Sequence, residues 1–373
     1  MRNLLSTRLA GPAVCCVSIM AATPTPVRAE LIYGITASVL GGPQTLVRFD
    51  SATPDAVTTV ATLTGMPAGH FAAGMDFRPA TGQLYVGAAG PNDSGGFAAQ
   101  PYTVNLATGA MTPVGNPFDP LEFGAGVPSF DFDPVRDEMR VLTTPTDKPP
   151  VTNTRYDPDT FVLISVDAAL AFDPNGPGAA FNPPFAIGAA YSNNVAGAAS
   201  TTLYAYELGS DLVVTVGGID GDPSADGGQM LLVGKSDFVV PGYLDSFGFD
   251  ISGSTGVAYV SSFVEGLLGV RLFTVNLQTG AMSDVGEIVA PDAGVVTDIS
   301  VNVPEPTSLM TAAMVVSLNC SAAAGAAVAV PTVRGCYGLF SPADQLNSIT
   351  SGRTASPEWR NTGPNCAGAF QSS

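Results

Sequence analysis

A ten-residue segment recurs at near-constant spacing, and this limits the architectures open to the chain more than any other feature. Asp76-Phe77-Arg78-Pro79-Ala80-Thr81-Gly82-Gln83-Leu84-Tyr85 aligns without a gap on Asp250-Ile251-Ser252-Gly253-Ser254-Thr255-Gly256-Val257-Ala258-Tyr259, sharing the Asp, the Thr-Gly and the Tyr. Asp131-Phe132-Asp133-Pro134, leading to Met139-Arg140-Val141, follows the same plan. A fourth copy, Ala190-Tyr191-Ser192-Asn193 through Leu203-Tyr204, has a longer turn and Ala in place of Asp. The aligned positions 76, 131, 190 and 250 lie 55, 59 and 60 residues apart, and Asp298 in Val296-Thr297-Asp298-Ile299-Ser300-Val301 marks a fifth.

A second unit follows each copy. Tyr102-Thr103-Val104-Asn105-Leu106-Ala107-Thr108-Gly109-Ala110-Met111 nearly duplicates Phe273-Thr274-Val275-Asn276-Leu277-Gln278-Thr279-Gly280-Ala281-Met282, with looser versions at Phe49-Asp50 and Tyr156-Asp157. Apolar and polar residues alternate before each turn, the period of a half-buried strand. The Asn or Asp that opens the turn can hold the backbone two residues on, and the closing Gly accepts a positive φ. Asn105, Asn276, Asp50 and Asp157 are therefore read as turn residues rather than ligands. With 42 Gly, 31 Pro and only 12% charged residues, many short strands joined by turns are expected rather than long helices.

Each full unit accounts for about four strands, and four-stranded units repeated radially make a β-propeller. The chain begins its first unit at a second-strand equivalent, Leu31-Ile32-Tyr33-Gly34, and ends on a lone first strand around Asp298. Pairing that last strand with the N-terminal blade would close the ring and remove an exposed edge. The expectation is an all-β domain of five blades: 296–302 with 31–65, then 74–116, 128–170, 187–234 and 246–288. A β-sandwich or a six-bladed ring with one degenerate blade is the alternative.

The segments outside the repeat read as targeting signals. Residues 1–29 have a basic start (Arg2, Arg8), an apolar run from Leu9 to Ala22 and a small-residue site at Val27-Arg28-Ala29, the order of parts in a cleaved secretory signal. At the other end, Val303-Pro304-Glu305-Pro306 precedes Thr307–Val330, a mostly Ala, Val, Leu, Met and Gly stretch of 24 residues, long enough to cross a bilayer as a helix. Motif plus apolar stretch resembles the PEP-CTERM sorting signal. That resemblance implies recognition by an exosortase-type enzyme and a transmembrane helix that holds the chain in the membrane before processing. The basic cluster that normally ends such a signal is reduced to Arg334, and the remaining residues 335–373, rich in Gly, Ser, Asn and Pro, read as an irregular, disordered tail. The organisation expected is thus signal peptide 1–29, repeat domain 30–302, sorting segment 303–334 and tail.

The repeat domain itself resembles an exported bacterial domain family of unknown function. The matching stretches are Ile32-Tyr33-Gly34-Ile35-Thr36, Leu46-Val47-Arg48-Phe49-Asp50, Gly74 through Tyr85, and Gly188-Ala189-Ala190-Tyr191-Ser192-Asn193-Asn194. The resemblance implies export and the propeller-like architecture, and brings no catalytic residues with it.

Chemistry is constrained mainly by what the domain lacks. Between Glu30 and Asn302 there are 8 Lys or Arg against 29 Asp or Glu, a net charge near −21. Nucleic acid is a poor partner for such a surface, because phosphate binding needs cations to displace counterions. None of the five cysteines lies in this span, which excludes disulfides, thiolate metal sites and a Cys nucleophile there. His70 is the chain's single histidine, so a Ser-His-Asp or zinc-histidine centre would rest on it alone. Paired carboxylates are the remaining enzymatic route, since five-bladed propellers as a class include glycosidases that use Asp and Glu. The candidates are Asp76, Asp131, Asp250 and Asp298, which could ring the central channel. Their recurrence once per blade favours a structural role. The densest acidic loop contains Asp220, Asp222 and Asp226, the candidate metal ligands, for which calcium would be the cation. Two functions follow: a non-enzymatic surface or extracellular-matrix propeller that binds polysaccharide or matrix proteins, or a secreted glycosidase-like enzyme with Asp at the channel mouth.

Overall fold

A computed structural model describes residues 29–38, 43–91, 97–117, 126–145, 152–241, 246–291 and 294–303. The expected signal peptide up to residue 28, the Pro304-Glu305-Pro306 motif, the apolar stretch 307–330 and the tail lie outside the described residues. Among the described residues no helix is long and apolar enough to cross a membrane.

Alternating patterns become strands throughout, and the strands form five separate antiparallel sheets. Blade 1 contains β1 (Leu31–Ser38), β2 (Thr45–Asp50) and β3 (Thr53–Thr62). Blade 2 is β4 (Phe71–Arg78), β5 (Gln83–Pro91), β6 (Phe97–Val104) and β7 (Met111–Pro113). Blade 3 is β8 (Gly126–Asp133), β9 (Glu138–Pro145), β10 (Thr152–Tyr156) and β11 (Leu163–Val166). After β12 (Ala171–Phe172), blade 4 is β13 (Ala186–Tyr191), β14 (Leu203–Glu207), β15 (Leu212–Val216) and β16 (Gln229–Lys235). Blade 5 is β17 (Phe247–Ile251), β18 (Ala258–Ser262), β19 (Arg271–Val275) and β20 (Met282–Glu287). The last strand, β21 (Gly294–Val301), returns to pair antiparallel with β1, with Ile32 opposite Val301 and Ile35 opposite Asp298. The ring is therefore closed as the repeat implied, and the sandwich and six-blade alternatives fall away.

One feature is absent from the repeat. β12 adds to the outer edge of blade 4, parallel to β16, so that sheet has five strands rather than four. Two residues of a connecting segment leave no strand-length pattern to read.

At the Thr-Gly turns the Asn105 side chain accepts from the Ala107 and Thr108 amides, and Asn276 accepts from Gln278 and Thr279. Gly109 closes the first of these at φ +70, and a Cβ there would stand 2.1 Å from the Thr62 carbonyl of blade 1. Only glycine meets both requirements. The core lies between blades: Tyr33, Ile35 and Leu46 of blade 1 pack with Phe77, Leu84 and Val86 of blade 2, as facing sheets must to bury their apolar surfaces.

Candidate functional site

The five inner strands β21, β4, β8, β13 and β17 lie side by side in sequence around the ring. Four carry the repeat Asp, and each of those carboxylates reaches across a seam to the backbone of the next inner strand. Asp250 accepts from the Val301 amide at 2.6 Å, Asp298 from Met75 at 2.7 Å, Asp76 from Phe132 at 3.3 Å and Asp131 from Tyr191 at 2.6 Å. Three of them also accept from the amide directly after them, at Ile251, Ile299 and Phe77. The bonds run in one rotational direction, so each blade holds its successor. The fifth seam, from blade 4 to blade 5, has Ala190. There the carboxylate gives way to apolar packing of Ile187 and Ala190 against Phe249, Ile251 and Val260. Gly188, at φ +59, lets the Phe247 ring approach to where its Cβ would be.

Burial at this girdle disfavours charge. Desolvation, and then the Asp250 charge, push Asp76 up to about 8. Burial raises Asp250 to about 6, and raises Asp131 and Asp298 well above the usual carboxylate range. The hydrogen bonds agree. The Ser300 hydroxyl stands 2.9 Å from both an Asp76 and an Asp250 oxygen, yet it has one hydrogen to give. Serving both requires one of those carboxyls to be protonated. Asp131 Oδ1 is buried and accepts from no amide or hydroxyl. After burial, the neighbouring Asp76 carboxyl is the next cause that raises Asp131.

Replacing Ser300 by Ala leaves two carboxyls and the Phe77 amide short of one partner. The expected cost is about 1–2 kcal/mol, seen as a melting temperature lower by about 2–6 °C. Calorimetry of Ser300→Ala beside the parent checks this, and an unchanged transition would mean the hydroxyl fastens nothing.

The symmetry breaks at two places: blade 1, where Ile35 faces Asp298, and blade 3. Opposite the repeat Asp, blades 2, 4 and 5 place a tyrosine: Tyr85 across from Asp76, Tyr204 from Ala190 and Tyr259 from Asp250. Blade 3 places Arg140 across from Asp131. This side chain is 1% exposed and donates to the Tyr191 hydroxyl, Asn153, Asp167 and Asp226. Asp226 also takes a forked pair of bonds from Arg136, and Asp167 a pair from Arg155. Arg136, Arg140 and Asp226, with Tyr191 and Asp220, line a cleft of about 150 Å³ between blades 3 and 4. Its guanidinium groups are neutralised by its carboxylates, and Ser200, Thr201 and Ser224 add hydroxyls to the lining. Sequence reasoning passed over Arg140, although an Arg in the repeat Tyr position was a readable signal.

Asp226 is committed to arginines, and Asp220 accepts from the Ser200 hydroxyl. Among the described residues no group of three or more His, Cys, Asp or Glu is placed to hold a metal ion. His70 lies between β3 and β4, with its Nε2 3.1 Å from the Pro91 carbonyl.

Comparison with solved structures returns propeller enzymes at low similarity. A GH43_1 enzyme from Xanthomonas citri has 12% identity over 71% of this chain and 89% of its own, with a TM-score of 0.42. An alpha-L-arabinofuranosidase from Lactobacillus brevis has 13% identity over 71% and 89%, with a TM-score of 0.38. A putative 6-phosphogluconolactonase from Bacteroides uniformis has 14% identity over 69% and 82%, also at 0.38. At these values nothing about activity passes from those proteins to this chain. No curated protein matches it. A family model, DUF4394, described as a domain of unknown function, matches residues 45–300, and the chain belongs to that family.

Proposed function

We propose that this chain is an exported, non-enzymatic propeller that presents a binding or structural surface at the cell envelope or in the extracellular matrix. The observation that carries the reading is the fate of the repeat carboxylates. Asp76, Asp131 and Asp250 are buried and Asp298 is half-buried, and each is bonded to the backbone of the adjacent blade, so none is free to act as acid, base or nucleophile on a substrate. Glycoside hydrolysis needs two carboxyl groups that flank a bound sugar, and a raised pKa serves catalysis only where substrate can reach the group. Export rests on the signal-like residues 1–29, and sorting on Val303-Pro304-Glu305-Pro306, whose partner is an exosortase-type enzyme. Neutral polysaccharide and matrix proteins are the ligands compatible with a surface of net charge near −21.

Incubation of the full chain with aryl xyloside, arabinofuranoside and galactoside, and with xylan and arabinan, is expected to release no sugar above buffer. Release by the parent chain that disappears in a folded Asp76→Asn or Asp250→Asn variant would establish the glycosidase reading instead.

A further inference from the structure

Propellers have one exposed strand edge per blade, and an exposed edge is a template for pairing with another chain. Here four of the five edges are blunted. β3 begins Thr53-Pro54-Asp55 and is rich in Thr. β7 is three residues long and ends on Pro113. β16 is paired with β12 at Gln229 and Met230 and ends on Lys235. β20 carries Asp284 and Glu287. The edge of blade 3 is short too, at four residues, but has no charge, proline or covering strand. β11 and the residue before it read Val162-Leu163-Ile164-Ser165-Val166, with no charge, proline or glycine. Val162, Leu163, Ile164 and Val166 are 61, 44, 46 and 64% exposed, an unusual concentration of aliphatic surface on one strand. Such a run is the signature of a strand that pairs readily with another.

The surroundings say what kind of strand fits. The edge is preceded by Asp157 and by Asp159, whose side chain is 70% exposed although it accepts from Arg78. The carboxylate at its far end, Asp167, is buried and already paired with Arg140 and Arg155. The domain around it carries a net charge near −21. A second acidic copy gains nothing electrostatic by approaching this edge, whereas a strand with cationic ends does.

We propose that the edge of β11 is a docking site for an extended strand of a partner protein, uncharged and β-branched along its length and flanked by Lys or Arg. Main-chain hydrogen bonds would extend the blade 3 sheet by one strand, alternate aliphatic side chains would cover Leu163, Ile164 and Val166, and the basic flank would lie beside Asp157 and Asp159. This deepens the display reading above by naming the surface displayed.

The test uses the full chain and two fluorescent peptides, Lys-Thr-Val-Thr-Ile-Thr-Val-Lys and the same sequence flanked by Glu. Anisotropy is expected to show the Lys peptide binding about tenfold more tightly than the Glu peptide at low salt, with the difference shrinking as salt rises. Ile164→Lys/Val166→Lys is expected to weaken Lys-peptide binding at least about tenfold, while Thr58→Lys, on the blunted edge of β3, leaves it unchanged. Both variants alter exposed side chains, and a melting temperature within a few degrees of the parent checks that they fold. Equal binding of the two peptides, or undiminished binding by the double variant, overturns the proposal. So does a peptide-free parent that sediments as a dimer and turns monomeric in the double variant, since the occupant is then a second copy. Any of these results leaves the hydrolysis assays, and the non-enzymatic reading, untouched.

Discussion

Arg140→Ala is expected to destabilise the fold by about 3–5 kcal/mol, the cost of leaving buried partners of a charge uncompensated. In a domain of this size that lowers the melting temperature by on the order of 10 °C. The reason lies in how few alternatives the partners have. The Tyr191 hydroxyl and the Asn153 carbonyl oxygen are buried with Arg140, and the Asp167 side chain is 4% exposed. Water from the adjoining cleft can reach Asp226, whose side chain is 30% exposed, but it supplies no positive charge in place of the guanidinium. Arg155 still reaches Asp167 in the variant, which limits the loss. Arg271→Ala is the control. Its pairing with Asp284 lies nearer the surface, and its removal should cost less than about 1 kcal/mol. Urea unfolding of the three chains gives the comparison. Equal losses for Arg140→Ala and Arg271→Ala would show that the buried network does not hold the seam.

Stability is also expected to rise as pH falls from about 8 toward about 4. The sign follows from the inner carboxyls. Asp76, at about 8, and Asp250, at about 6, stay protonated in the folded ring where the unfolded chain has already ionised them near 4. The native state therefore binds more protons across that window, and each group so held costs up to about 1.4 kcal/mol per pH unit as pH rises. Their contribution is fully present below the unfolded value and lost as pH rises through the folded ones. Asp131 and Asp298 act in the same direction. A second set opposes them at the acid end. Burial alone would raise Asp226, but hydrogen bonds from Arg136 and Arg140 outweigh it and hold the carboxyl at about 2. Its stabilisation is present above the unfolded value and lost as pH falls through about 2. The maximum should therefore lie between about pH 4 and 5. Urea midpoints at pH 4.5, 6 and 7.5 test this, repeated in high salt to screen repulsion among the surface carboxylates. Midpoints that rise with pH in both salts would refute it.

The five blades were legible because each is built from local instructions. The two-residue alternation and the Asp/Asn-to-Gly turns act over ten residues, and closure by β21 followed from an unpaired first strand at one end and a missing one at the other. The destination of the repeat Asp was not legible. Its acceptor bonds go to a strand about 50 residues away, and in the case of Asp298 and Met75 more than 200, a relation that exists only once the ring is closed. The same distance hid the arginine network, in which Arg140 and Asp226 stand 86 positions apart. Ala190 told part of the story in advance: one seam lacks its carboxylate, and there aliphatic and aromatic packing stands without it. Asp226 looked like one more carboxylate of an acidic loop because sequence shows proximity along the chain but not the arginines that reach it from blade 3.

The pairing of β21 with β1 has a mechanical meaning for anything attached to the domain. The Asn302 amide donates to the Leu31 carbonyl, so the chain enters and leaves the ring at adjacent points. A leader before Glu30 and an anchor after Val303 would both pull on the same corner of blade 1. Tension on either end is then borne by the strand pair β1–β21 as a zipper loaded from its end, and the first event under force is the parting of that pair rather than the stretching of the ring. Blade 3 is not part of that pair. Its β11 edge would lie outside the pair that bears such a load.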